Sequence, residues 1–146
     1  MLSDLYNDKI LAHAANIPRL GRLDDAQGSA THRSRLCGSQ VSVDVRLGDD
    51  GRVVDFAHDV RACALGQASS SIMASVVVGA SVDDLADLEA TVTAMLKSDG
   101  PPPSGRFEEF ACLAPVAAHK SRHASTLLTF GATLEAARQA SLAQPA

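Results

Sequence analysis

The sequence predicts an α+β fold: a small antiparallel β-sheet of about three strands, early in the chain, covered by helices on one face. Three observations predict it. Residues 40–47 alternate strictly, with Val41, Val43, Val45 and Leu47 facing one way and Ser42, Asp44 and Arg46 the other. A Gly48-Asp-Asp-Gly51 turn signal then leads into a second strand over residues 53–60, which makes a β-hairpin. Beyond Cys63 the apolar period becomes helical and stays so to the end of the chain.

Element by element, residues 3–15 set Leu5, Ile10, Leu11 and Ala14 near one stripe, a short amphipathic helix with Ser3 as its cap, ended by Asn16-Ile-Pro-Arg-Leu-Gly21. The polar stretch 24–34 alternates too weakly to separate strand from loop. Residues 64–78 form a helix rich in small residues and Ser, stopped by Gly79; Ser69-Ser-Ser71 there permits close helix packing. Residues 82–97 repeat apolar side chains at i, i+3 and i+7 behind Ser81 as cap. The Pro-rich stretch 100–105 is a rigid connector too short to divide domains, and 107–113 and 121–141 complete the chain as helices. Residues 1–146 therefore read as one domain.

Composition narrows the function. With 146 residues the chain can bury a full core without disulfides. Hydrophobic residues make up 46% and aromatics only 3%, so Val, Leu, Ile, Met and Ala must fill that core. A net charge of −4 speaks against binding nucleic acid through phosphate neutralisation. No apolar run approaches a membrane span, and the first ten residues lack the layout of a secretory signal, so a cytoplasmic protein is expected. No Walker loop, dinucleotide fingerprint or nucleophile elbow is present.

Three cysteines, an odd count, make a disulfide framework the poorer reading and leave metal binding, thiol chemistry or burial. Cys112, between Ala111 and Leu113 and shortly before Pro115, reads as a small buried hydrophobe. Cys37 and Cys63 differ. They stand at nearly equal distances before and after the hairpin turn, so antiparallel register brings them together at one edge of the sheet. Cys63 also lies at a helix N-terminus, where the dipole favours the thiolate that a soft metal or a persulfide-forming nucleophile needs. Gly38 permits close approach of a ligand. Two small buried residues that merely lie close together remain the alternative. Of the five histidines, His13, His32 and His58 read as surface or half-buried residues, whereas His119 and His123, four apart, could share a helix face.

At these residues the sequence resembles the iron–sulfur cluster assembly scaffolds of the IscU, NifU N-terminal and SufU type. Leu5-Tyr6, Ile10-Leu11, His13 and Asn16-Ile-Pro18-Arg19 resemble that family's opening helix. Leu36-Cys37-Gly38-Ser39 resembles its Cys-Gly-Asp motif, and the run from Cys63 to Ile72 its second cysteine loop and Ser-rich helix. The stretch Leu113, Val116 and 122–128 resembles the part carrying its third cysteine. The long interval between Cys63 and Ser125, with its Pro-rich connector, is closer to SufU.

The resemblance implies a non-enzymatic scaffold or carrier more than an enzyme, with a sulfurtransferase-like role left open, in which three cysteines and an aspartate hold zinc or a nascent iron–sulfur cluster. It implies a cysteine desulfurase as sulfur source and apo iron–sulfur proteins as recipients, with no nucleic acid or membrane partner and a homo-oligomer left open. Cys37 and Cys63 match two of the cysteines, as metal ligands and as persulfide acceptors. Ser39 stands where the family has Asp, and Ser125 where it has the third Cys, so both are degenerate ligand positions; Ala124 replaces the neighbouring His. A serine hydroxyl ionises too weakly to be a routine ligand for zinc or iron, and a [2Fe–2S] cluster ordinarily takes four. His119, His123, a rearranged Cys112, an exogenous thiol or a second protomer are the substitutes. Three readings follow: a cluster scaffold with a diverged site, a persulfide acceptor, or a regulatory binding module with a degenerate metal site.

Overall fold

The computed structural model describes residues 5–35 and 37–143. Helix α1 (Asp8–Ala15) is followed by strands β1 (Gly28–Arg33), β2 (Gln40–Leu47) and β3 (Val53–Arg61). Helices α2 (Ala64–Val76) and α3 (Val82–Ser98) come next, then a 3-10 segment over Gly105–Ala118, a short 3-10 turn at Lys120–Arg122 and helix α4 (His123–Ala143). The sheet is antiparallel in the order β1-β2-β3. The hairpin register pairs Val43 with His58 and Gln40 with Arg61, a bulge at Arg46/Leu47 absorbing the mismatch near the turn.

One sheet face builds the core. Val41, Val43 and Val45 are fully buried with Phe56 of β3; helix α4 packs directly on β1 and β2, and α2 and α3 pack against α4. Helix α4 lies so close to β1 that a Cβ on Gly28 would fall onto the carbonyl oxygen of Ala136. Phe110 of the 3-10 segment and Phe130 of α4 meet at 4.8 Å between ring centres, tying the late chain into the same core.

The opposite face is covered as well, by chain rather than helix. The segment after α1 runs beside β3, where Gly21 N–H donates to the His58 carbonyl at 2.9 Å and His58 N–H to that of Arg19 at 3.2 Å. It then crosses to β1 over the polar side chains of β2. Arg22 donates from Nε and Nη2 to Asp44 at 2.7 and 2.8 Å, and Leu23 N–H and the Ser29 hydroxyl add bonds at 3.0 and 2.7 Å. This bonding holds the buried Asp44 carboxyl down at about 2. Ser42 and Asp44, expected on an open face, are buried beneath this strap.

The structure decides one open reading and revises two expectations. The polar stretch left undecided contains β1, whose Ser29 and Thr31 are half of a polar layer completed by Asp44 and Ser42. The helix expected over 107–113 is 3-10 throughout, with Pro115 inside it removing an α-helical donor. His58 is wholly buried, not half-buried; its Nε2–H donates to the Pro18 carbonyl at 2.8 Å and its ring packs against Phe56. Ser3 lies outside the described residues, and Asn7 caps α1 by accepting from Ile10 N–H at 3.0 Å. The Ser81 cap holds, as a capping box closed by Asp84. Among the described residues no helix is long and apolar enough to cross a membrane.

Candidate metal and sulfur site

Three chain segments meet at one edge of the sheet. The β1–β2 connection is a tight turn in which Ser34 N–H donates to the Ser39 carbonyl at 2.8 Å and Gly38 N–H to that of Ser34 at 3.0 Å. Gly38 sits at φ +72°, a left-handed conformation that suits glycine, and the turn exposes Cys37 beside it. Across the sheet, β3 ends at Arg61 and Cys63 becomes the N-cap residue of α2. The third segment is the first turn of α4, which carries Ser125.

The Ser125 hydroxyl lies 3.6 Å from Cys63 Sγ and donates to the Arg122 carbonyl at 3.3 Å. Cys37 Sγ lies 3.0 Å from the Ser39 hydroxyl and 3.5 Å from that of Ser34. These contacts, Ser34 first and then Ser39, lower the Cys37 thiol to about 7. Hydroxyl hydrogens that can turn toward the sulfur stabilise its anion. The sulfur of Cys63 makes no capping hydrogen bond, so it stays available to a ligand.

Helix geometry adds to the field at this point. Gly66, one turn into α2, lies so close to α4 that a Cβ there would be 3.1 Å from the Ser125 carbonyl oxygen. The N-terminal ends of α2 and α4 therefore converge on the two thiols, and both present the positive end of the macrodipole to a thiolate or an anionic cluster. Charged side chains follow the same pattern: Arg35, Arg61 and Arg122 each stand two or three positions before Cys37, Cys63 and Ser125, in a chain of net charge −4.

The register that pairs Gln40 with Arg61 carries Cys37 and Cys63 to the same edge of the sheet. The Ser39 hydroxyl lies 3.0 Å from Cys37 Sγ and the Ser125 hydroxyl 3.6 Å from Cys63 Sγ. The histidines do not join them. His119 ends the long 3-10 segment while His123 begins α4, so they share no helix face. His123 Nε2–H donates to the Val116 and Ala117 carbonyls at 3.0 and 3.2 Å, a structural use of that nitrogen. Cys112 packs against the core and burial pushes its thiol up to about 11. Among the described residues no three His, Cys, Asp or Glu side chains gather as a metal site would require. Ser34 was not singled out from the sequence. Its closeness to Cys37 depends on the turn folding back, and only its place three residues before the cysteine hinted at it.

A sequence profile of the NifU-like N terminal domain matches residues 5–124. The chain belongs to that family. This NifU-like chain is 27% identical over 143 residues to the iron–sulfur cluster assembly scaffold protein IscU of Streptococcus pyogenes, covering 98% of this chain and 89% of that one. It is 26% identical over 89 residues to the scaffold protein IscU of Escherichia coli, covering 59% of this chain and 70% of that one. The crystal structure of a nitrogen-fixing NifU-like protein (N-terminal) from Brucella abortus superposes with a TM-score of 0.93 at 48% identity, covering 97% of each chain. The NifU-like fold is therefore shared over almost the whole chain, and the paired thiols lie in a framework common to the family.

Proposed function

We propose that this NifU-like chain, acting as one unit over residues 1–146 in the cytoplasm, is an iron–sulfur cluster assembly scaffold-like protein. Its cargo, a nascent [2Fe–2S] cluster or a zinc ion, is held by Cys37 and Cys63. The observation that carries this reading is the placement of Cys63 at the start of α2, 3.6 Å from the Ser125 hydroxyl in the first turn of α4, with Cys37 brought to the same edge of the sheet by the hairpin register. Thiolates are the preferred ligands of zinc and of iron–sulfur iron. Here Cys37 is partly ionised at neutral pH, and the helix ends favour the negative charge that the ligated cargo carries. The family and the names of its relatives point the same way.

Sulfur delivery is the second reading, favoured by the lowered Cys37 thiol. The Cys37 thiolate would attack the outer sulfur of a persulfide on a cysteine desulfurase. The donor's S–S bond breaks as the new one forms, and the desulfurase cysteine leaves as a thiolate, with no net oxidation. Recipient apo-proteins would then take the completed cluster.

Reconstitution separates the readings. Ferrous iron and sulfide added without air should give visible cluster absorbance in the wild type and none in Cys37→Ser or Cys63→Ser. Absorbance surviving both substitutions would refute the assignment of the ligands. Sulfur mass gained on Cys37 from a desulfurase and cysteine, without iron, would favour the second reading.

A further inference from the structure

A second group of charged side chains lies away from the thiols, in a cavity of about 400 Å³ where β1, α3 and α4 meet. Its lining is His32, Glu89, Gly131, Leu134, Glu135 and Arg138. His32 is held from one side, its Nε2 lying 3.0 Å from the Glu135 carboxylate. A carboxylate only accepts, so Nε2 carries the hydrogen and Nδ1 of the neutral ring keeps its lone pair. That nitrogen lies over Gly131, inside α4, where alanine would be the better helix former. A Cβ there would stand 2.7 Å from His32 Nδ1 and 3.4 Å from Glu89 Oε2, so glycine lets both acceptors settle against one point of the helix. Two acceptors side by side call for a donor between them. Glu89 has no hydrogen bond or ion pair among the described residues, and neither has Arg138. The lining therefore holds an uncommitted carboxylate and an uncommitted guanidinium that do not pair with each other. Glu135 engages the opposite nitrogen of His32, and among the described residues no three His, Cys, Asp or Glu side chains gather as a metal requires.

We infer that this cavity binds a free α-amino acid with an uncharged side chain. The ammonium group sits between His32 Nδ1 and the Glu89 carboxylate, supplying the donors and the positive charge that these acceptors lack. The Arg138 guanidinium takes the carboxylate, whose two oxygens match its parallel N–H groups. Glu135 is already engaged by His32, so the lining keeps no charged group for a charged side chain. The buried Leu134 gives that side chain an apolar wall. The site goes beyond the scaffold reading and is independent of it, since neither thiol nor Ser125 lines the cavity. A ligand seated here touches β1, α3 and α4 at once and ties the three elements together.

The test titrates the full chain with L-alanine and follows the amide resonances. Saturable shifts are expected at His32, Glu89 and Gly131. N-acetyl-L-alanine, which lacks the ammonium, and L-alaninamide, which lacks the carboxylate, should each bind about fivefold or more weakly. Glu89→Gln should weaken L-alanine by a similar factor and leave N-acetyl-L-alanine unchanged. Arg138→Gln should likewise weaken L-alanine and leave L-alaninamide unchanged. Lys97→Gln, on α3 but outside the lining, should alter none of the three. L-alanine should also raise the thermal unfolding midpoint of the wild type and not that of Glu89→Gln/Arg138→Gln. No saturable shifts with L-alanine, equal affinity for the three compounds, or binding indifferent to both substitutions would overturn the inference.

Discussion

Ser39 and Ser125 occupy positions where a carboxylate and a thiolate would bind metal directly, yet both act on sulfur. A carboxylate 3.0 Å from Cys37 would repel a thiolate, whereas the Ser39 hydroxyl stabilises it. The rate of Cys37 alkylation should therefore rise with pH about a midpoint near 7. In Ser39→Ala or Ser34→Ala that midpoint should move upward, because each change removes a hydroxyl that favours the anion. A midpoint unmoved in both variants would show that the hydroxyls do not control this thiol. The converse change adds a ligand. Ser125 Oγ lies 3.6 Å from Cys63 Sγ, so Ser125→Cys should create a third thiolate and tighten zinc binding by at least about tenfold. Competition with a chromophoric chelator would measure it, and unchanged affinity would mean that position 125 is not part of the metal site.

At the scale of elements, the site depends on how closely α2 approaches α4. A methyl on Gly66 would meet the Ala62 Cβ at 2.6 Å and the Ser125 carbonyl oxygen at 3.1 Å, both in or beside the site. Gly66→Ala should cost about 1–3 kcal/mol of stability by chemical denaturation and weaken metal binding in the still-folded protein, because it parts Cys63 from Ser125. Full stability and affinity in that variant would contradict the close seam. That Cys37 and Cys63 reach the same edge of the sheet was legible in the sequence because hairpin register is a counting rule, and the strong alternation of 40–47 anchors the count. Strand β1 was not legible: its exposed Ser29 and Thr31 pair with the buried Asp44 and Ser42 in a polar layer, which reads as a loop by hydrophobicity alone. The 3-10 conformation of Gly105–Ala118 was equally hidden, since its apolar spacing fits an α-helix and only Pro115 argues otherwise.

For the whole molecule, one sheet face is apolar and packed by helices while the other is polar and crossed by a strap pinned on Asp44. The folded Asp44 carboxyl titrates at about 2, below its unfolded value. Its contribution is therefore complete above the ordinary aspartate range and fades as pH falls toward about 2. Asp44→Asn should lower stability at neutral pH by about 2–3 kcal/mol, since it loses charge-assisted bonds from Arg22. The variant's stability should also depend less on pH between about 4 and 2 than that of the wild type. Parallel acid-unfolding curves would refute the role given to this carboxylate. The strap left little trace in the sequence, because Arg22 and Asp44 are ordinary surface residue types until the chain crosses the sheet. The same holds for His58, whose burial arises from the segment laid along β3.

The central claim is that the thiol pair holds an iron–sulfur cargo despite the two serines. It is tested most directly by iron and sulfide analysis of protein purified without air, the wild type beside Cys37→Ser/Cys63→Ser. Iron and sulfide in near-equal amounts in the wild type, both lost in the double variant, are the predicted result. Iron and sulfide retained by the double variant, or a wild type that carries neither and takes up neither on reconstitution, would contradict it.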